Sequence, residues 1–493
     1  MTENKDDQKE IKAESNSANN ENQDNIRGAE SVTLDEFGKQ LKSEIIDELK
    51  KIPFTIGNLF TGETHIHRDV IGRDKVERAK RRSQKATNNA TELLDNNQLP
   101  EDRILLLSVA VFNGASLQII TDAQKKLQEL ISKNDTEKKF KTEFFESPIR
   151  KRLLDIGASI KDGEEETQYG HVPTKIVELD DPSLSLIIVK HYWDEFKFDI
   201  FHETLIRWLG DSVENTPYQM RIRAANAVGV LAKGDFRSVE FDILSKWAAS
   251  SNPTTRIAAA YALRIPALED ELSPQVLKLL HYWSTVNNWR LCWTATATYA
   301  GDVGLKFPLE ALKDLKHIAE TGDLRLAGVL TQSISNLFDE GETNKGIYEK
   351  ILDSLVDWTE DSKKIHGTIG LFVFLNLARN SRVKADPKGG DWYTLLWLLK
   401  NRKKNPSVQI YSLWRRALNL KQSRAEALKI LLEWVKSVDE DKRLYEPLEW
   451  LIKEIVSKGE NREGDRLRYY LQKIANSPDT QGFTAENLLG SIW

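Results

Sequence analysis

RIRAANAVGVLA (221–232), RIAAAYALRIPA (256–267), RLCWTATATYAG (290–301) and RLAGVLTQSISNLF (325–338) share one design. Each starts with arginine and continues as an apolar run dense in Ala, Gly, Ser and Thr. Such runs read as buried helices, and small side chains along them suit close helix–helix approach. A tryptophan closes the segment before several of these runs. Trp208 ends LIRW, Trp247 ends LSKW and Trp283 ends LHYW; Trp358, Trp397 and Trp434 end LVDW, TLLW and LLEW. The spacings are 39, 36, 75, 39 and 37 residues. The 75 spans two periods, with Ala319 of LKHIA at the intermediate place, and one further period reaches Tyr470 in LRYY. Looser runs follow the later tryptophans: IHGTIGLFVFLNLA (365–378), SVQIYSLWRRALN (407–419) and RLYEPLEWLIKEIV (443–456).

The pattern predicts about eight units of 36 to 39 residues, each of two helices. The first helix ends on a bulky ring that fills the gap between layers, and the second carries small residues. One pair cannot bury both faces, so neighbours stack into a continuous core. Asn252-Pro253, Asn287-Asn288, Gly322-Asp323 and Asn405-Pro406 supply the turns inside units. The predicted fold is all-α: a right-handed α-solenoid of helix pairs over residues 183–493.

An Asp or Asn followed by Arg recurs at those turns: Asn252 and Arg256, Asn288 and Arg290, Asp323 and Arg325, Asp441 and Arg443. This resembles the charged ladder of HEAT repeats, where such pairs link adjacent units. The alternative is an arginine row that grips an anionic partner. An acid at the same turn already accounts for an arginine, which favours the ladder.

The chain has 493 residues, too many for one ordinary core unless it is built from repeats. Its net charge of -5 gives no global argument for nucleic acid. The single cysteine, Cys292, excludes an intramolecular disulfide framework and fits a reducing cytosol. The opening MTENKDDQKE lacks the basic and apolar regions of a signal peptide, and no apolar run is long enough to span a bilayer. A cytoplasmic protein without a membrane partner is expected.

Residues 1–32 are polar and acidic and are expected to be a disordered tail. In residues 33–52, Leu34, Phe37, Leu41, Ile45 and Leu49 lie on one face of a predicted amphipathic helix. That face either docks on its own chain or recognises another protein. Residues 1–50 hold seven Lys/Arg and thirteen Asp/Glu, a balance of -6; residues 51–99 hold nine and six, a balance of +3. The linker at 53–99 carries the basic cluster Arg73, Lys75, Arg78, Lys80, Arg81, Arg82 and Lys85, which could contact phosphate backbone or pair with the acidic tail. His65 and His67, flanked by Glu63 and Asp69, form a weak metal motif without a second pair.

Residues 100–182 read as helix, helix–turn–helix and a closing strand. RILLLSVAVF (103–112) is a buried helix broken by Asn113-Gly114. A second helical stretch runs to residue 132, with Asp122 as a point of division into a short and a longer helix. PIRKRLLDI (148–156) is a further short helix, and VPTKIVELD (172–180) alternates like the strand of a wing. This is the winged-helix pattern. The polar face after Asp122 mixes Lys125, Lys126 and Lys133 with Glu129, which favours a packing module over DNA readout.

Residues 103–338 resemble the region of bacterial STAND-type (NACHT-like) NTPases in which a winged helix precedes a helical-repeat sensor. The resemblance lies in RILLLSVAVFNGAS, VELDDPSLSLIIVKHYWDEF, LIRWLGD and RIRAANAVGVLAKGDF, with GRDKV (72–76) like tracts in the linkers of such proteins. It implies a sensor or scaffold role in a defence or signalling system. No G-x-x-x-x-G-K-[ST] loop is present, so the family's nucleotide-driven switch does not carry over.

No G-x-S-x-G, H-E-x-x-H, C-x-x-C or G-x-G-x-x-G occurs. The eight histidines read as scattered; His191 and His202 flank Asp194 and Glu195 and could meet on adjacent helices. Cys292 reads as a small buried hydrophobe among Trp289, Leu291 and Trp293. The expectation is a non-enzymatic binding protein with no cofactor and with a protein partner. A nucleic-acid-binding regulator is the alternative, and the oligomeric state is open.

Overall fold

A computed structural model describes residues 89–493 apart from 97–98, 135–147, 168–169, 197–198, 215–217, 343–345, 361–363, 385–389, 401–405, 459–460, 477–480 and 481–482. The described chain is mostly helical, as the sequence predicts, and divides into two compact units at Ser354/Leu355. No described helix is long and apolar enough to cross a membrane.

The first unit opens with α1 (residues 89–96) and α2 (Pro100–Val111). Proline at the first turn and Glu101 and Asp102 beside it suit a helix N-terminus. Every residue of α2 from Ile104 to Val111 is buried. Gly114, at φ 76°, turns the chain into β1 (Ala115–Ser116). One continuous helix follows, α3 (Leu117–Asn134), which corrects the expected division at Asp122. Gln118 donates to both Asp122 carboxylate oxygens from one turn earlier, so that aspartate rests on the helix surface.

After α4 (Ile149–Asp155), β2 (Ala158–Thr167) and β3 (Gly170–Leu179) pair antiparallel from Ala158↔Leu179 to Thr167↔Gly170. β1 joins the other side of β3, giving the order β1–β3–β2. The sequence does not announce β2, because KDGEEET has no apolar alternation. Cross-strand pairing carries it instead, including Lys161 to Glu178 at 2.7 Å. Gly163 is required there: a Cβ would sit 2.4 Å from Ile176 Cγ1.

Helix pairs follow. α5 (Ser185–Glu195) packs on α2 and on α7 (Tyr218–Gly234), the partner of α6 (Asp199–Glu214). α8 joins Phe236–Val239, a π-helical turn at Glu240–Leu244, and Ser245–Ala248; it pairs with α9 (Pro253–Leu268). α10 (Ser273–Thr285) pairs with α11 (Trp289–Tyr299). After α12 (Asp302–Lys306), α13 (Pro308–Glu320) pairs with α14 (Ala327–Asp339). The small-residue helices α7, α9, α11 and α14 pack on one another in chain order. At Gly229 the approach is so close that a Cβ would stand 2.6 Å from the Ala262 carbonyl. Trp208, Trp247 and Trp283 are buried, and Trp208 Nε1 donates to the Ala123 carbonyl at 2.9 Å. Hydroxyls tie the layers together: Thr294 donates to Ala248 O and Ser333 to Thr296 O, both at 3.1 Å.

α15 (Ile347–Trp358) runs across the division. The described part of the second unit, Leu355–Trp493, holds α16 (Ile365–Asn380), a ribbon of β4 (Arg382–Lys384) and β5 (Asp391–Tyr393), α17 (Thr394–Lys400), α18 (Ser407–Asn419), α19 (Lys421–Glu440), α20 (Tyr445–Lys458), α21 (Asn461–Ala475) and α22 (Phe483–Ile492). α16 packs on α19, α17 on α20, and α18 on both α19 and α20. Phe374, Trp414 and Trp434 form its aromatic core, with centroids 5.4 and 5.0 Å apart. The unit closed by Trp397 departs from the expected helix pair. Its first helix is only the seven residues of α17, preceded by the ribbon, and Trp397 is part-buried.

Candidate partner-binding edge

The turns inside successive units carry the arginines, and the structure decides between the two readings of them. Asn252, Asn288, Asp323 and Asp441 are N-caps: their side chains accept from the backbone N–H of Thr254, Arg290, Arg325 and Arg443 at 3.0 to 3.1 Å. Arg325 clasps Asp323, and Arg443 clasps Asp441, through two nitrogens each. Both pairs close within their own turn. The expected acid–arginine ladder between units is therefore corrected at these positions.

Guanidinium on indole crosses between units instead. Trp289, at the start of α11, has three guanidiniums around it: Arg256 of α9 at 5.0 Å, Arg290 at 5.5 Å, and Arg325 before α14 at 4.6 Å from its ring centroid. Arg256 also lies 4.9 Å from Trp293. Turns of three consecutive units thus meet at one half-buried ring.

The three guanidiniums are held differently. Arg256 is buried and donates to the Ser250 and Ser251 carbonyls. Arg325 has Asp323. Arg290 has no ion pair among the described residues, and its Nε is buried without a hydrogen-bond partner. Burial works to raise the Asp323 carboxyl, yet the Arg325 side-chain and backbone hydrogen bonds and its charge together outweigh it and hold the group below its usual range. That bond likewise raises the Arg325 guanidinium. Arg290, with no ion pair among the described residues, and the exposed Arg325 beside it make an edge able to receive an anionic group.

The chain matches no protein-family model, and no curated protein matches it.

The sequence-predicted sites fall elsewhere. Arg73, Lys75, Arg78, Lys80, Arg81 and Arg82 lie outside the described residues, as do Leu34, Phe37, Leu41, Ile45 and Leu49, and His65 and His67. His202 stacks on Trp193 with centroids 3.9 Å apart, and its Nε2 meets the Trp193 carbonyl at 3.0 Å. Cys292 is buried, directs its Sγ at the Trp283 carbonyl, and is pushed up in pKa by desolvation. In the helix–strand region, the basic helix is α4, where Arg150 and Lys151 are exposed and Arg152 bonds Asp102 at 2.8 Å. The β2–β3 hairpin beside it carries Asp162, Glu164 and Glu165.

Arg290 heads RLCWTATATYAG, and Trp289 directly precedes it. Their meeting with Arg256 and Arg325 follows from the repeat period, which sets equivalent turns side by side.

Proposed function

We infer that the chain is a non-enzymatic, cytosolic scaffold or sensor. In this reading the helix pairs form a right-handed HEAT-like solenoid, and the protein binds an acidic segment of a partner protein along the Trp289 edge. One observation carries it: Arg290 holds its charge at a part-buried site with no ion pair among the described residues. An arginine in that position is stabilised by a carboxylate brought from outside.

The order helix, β1, α3, α4, β2–β3 with strands in the order β1–β3–β2 supports a winged-helix segment ahead of the array. α4 would be its recognition helix, and exposed Arg150 and Lys151 favour a second reading, nucleic-acid binding. The acidic hairpin works against it. The resemblance to STAND-type sensors adds a place in a bacterial defence or signalling system.

The test is fluorescence anisotropy of a labelled Glu-rich peptide with the full chain, with duplex DNA as competitor. Salt-sensitive peptide binding that weakens about tenfold in Arg290→Ala is expected. Equal binding by wild type and Arg290→Ala would overturn the edge, and displacement of the peptide by DNA alone would favour the second reading.

A further inference from the structure

The repeat period superposes two histidines. His281 stands two residues before Trp283, and His317 two before Ala319, the residue at the corresponding place one period on. Their helices, α10 and α13, pack together, and the two rings face each other edge-on with centroids 6.1 Å apart.

Both rings are held from behind. His281 Nδ1 is 2.7 Å from Asp314 Oδ1, and Asp314 is only 3% exposed. The second oxygen of that carboxylate accepts from Tyr299 Oη at 2.7 Å. Burial, first, and the adjoining carboxylate push the Tyr299 phenol well up, so it stays a donor. A carboxylate that takes the Tyr299 proton donor on one oxygen takes Nδ1–H of His281 on the other. His317 Nδ1 lies 3.3 Å from Glu320 Oε2 in the same manner. The His281 and His317 side chains are 49% and 41% exposed, and neither Nε2 has a hydrogen-bond partner among the described residues.

We propose that His281 and His317 form a binding site for a borderline transition-metal ion such as Zn²⁺, Ni²⁺ or Cu²⁺, with Asp314 and Tyr299 as its outer support. Histidine ligands characteristically give their other ring N–H to a carboxylate, which fixes the tautomer and raises the basicity of the free nitrogen. Two imidazoles on one tetrahedral ion at about 2.0–2.1 Å have centroids about 5 Å apart. The observed separation is wider by about 1 Å, within reach of a rotation of His317, whose contact to Glu320 is the weaker one. Among the described residues no group of three His, Cys, Asp or Glu is arranged around a metal, so water or a partner's side chain completes the sphere.

Calorimetric titration of the full chain with ZnCl₂ or CuSO₄ tests the site, with Cu²⁺ electron paramagnetic resonance as the second readout. Wild type should bind one equivalent that is lost in both His281→Gln and His317→Gln, with nitrogen coupling from two imidazoles in the Cu²⁺ spectrum. Asp314→Asn should weaken that equivalent about 10- to 100-fold while keeping the two-nitrogen signature. His317→Gln leaves the His281–Asp314–Tyr299 network intact, so the variant stays folded and interpretable. Absence of binding by wild type, or an equivalent that survives His317→Gln, would overturn the proposal.

Discussion

Two turns of this molecule are built from the same four-residue pattern and end in different states. Asp323-Leu324-Arg325-Leu326 and Asp441-Lys442-Arg443-Leu444 each open with a capping aspartate, form a bidentate pair and continue as a short 3₁₀ turn. Each arginine covers a tryptophan, Arg325 at 4.6 Å from Trp289 and Arg443 at 5.0 Å from Trp392. At Trp392 the cluster is closed. The ring is buried and donates its Nε1 to Asp441 at 2.9 Å, so the acid meets both indole and arginine, and Lys400 stands 4.5 Å from the same ring. At Trp289 two further guanidiniums arrive from the same and a neighbouring unit, and one of them, Arg290, has no ion pair among the described residues. Local sequence builds the clasp; what the adjacent unit contributes decides whether the clasp is finished structure or an open edge.

The largest test of that contrast is stability. Trp392→Ala removes a buried indole and leaves Asp441 short of a donor, so it should cost about 3–5 kcal/mol in chemical denaturation. Trp289→Ala, at a half-buried ring, should cost no more than about 1–2 kcal/mol. Equal losses would erase the distinction. Trp392→Phe sharpens it: the face over which Arg443 lies remains while the bond to Asp441 goes, a loss of about 1–2 kcal/mol by the same measurement. Next is binding. Arg290→Ala should lower affinity for an acidic peptide by about 1.4 kcal/mol, and Arg443→Ala should leave it unchanged in the same anisotropy titration.

The smallest effect is in pH. The Arg443 side-chain bond and, further down, the Trp392 N–H hold Asp441 down at about 2, below its ordinary 3.8. A carboxyl depressed in the folded state stabilises above its unfolded pKa and loses that contribution as pH falls through the folded value. Thermal melts should therefore drop between about pH 4 and about pH 2 in wild type, and Asp441→Asn should flatten part of that slope. Asp323→Asn should flatten it less, because burial opposes its arginine.

The helical layout was readable because apolar runs, capping Asn and Asp, and buried indoles recur at one period. The buried states of Trp208, Trp247, Trp283, Trp358 and Trp434 follow that pattern. Three features escaped it. Strand β2 is polar from Lys161 onward, and its pairing with β3 identifies it. Asp122 looks like a break, yet an i,i+4 bond accommodates it within a helix. The β4–β5 ribbon replaces most of a helix where a short DWY segment buries Trp392. For the sites, residue types were visible and their meetings were not. Arg290 looked like a ladder member because Asn288 stands beside it, but an amide at an N-cap offers no charge to neutralise it. His281 and His317 looked scattered until one period was laid over the next.

The hydroxyl ties inside the first unit have a mechanical consequence. Ser333 reaches Thr296 and Thr294 reaches Ala248, each one layer back. Leucine and alanine surfaces tolerate sliding, since one greasy contact replaces another. A slip of even a single helical turn would break the Ser333 bond at a cost of about 1–3 kcal/mol, while Thr294 would fall back on the Arg290 carbonyl of its own helix at 3.1 Å. The stack thus resists shear at discrete notches and, under tension, should yield in steps rather than creep.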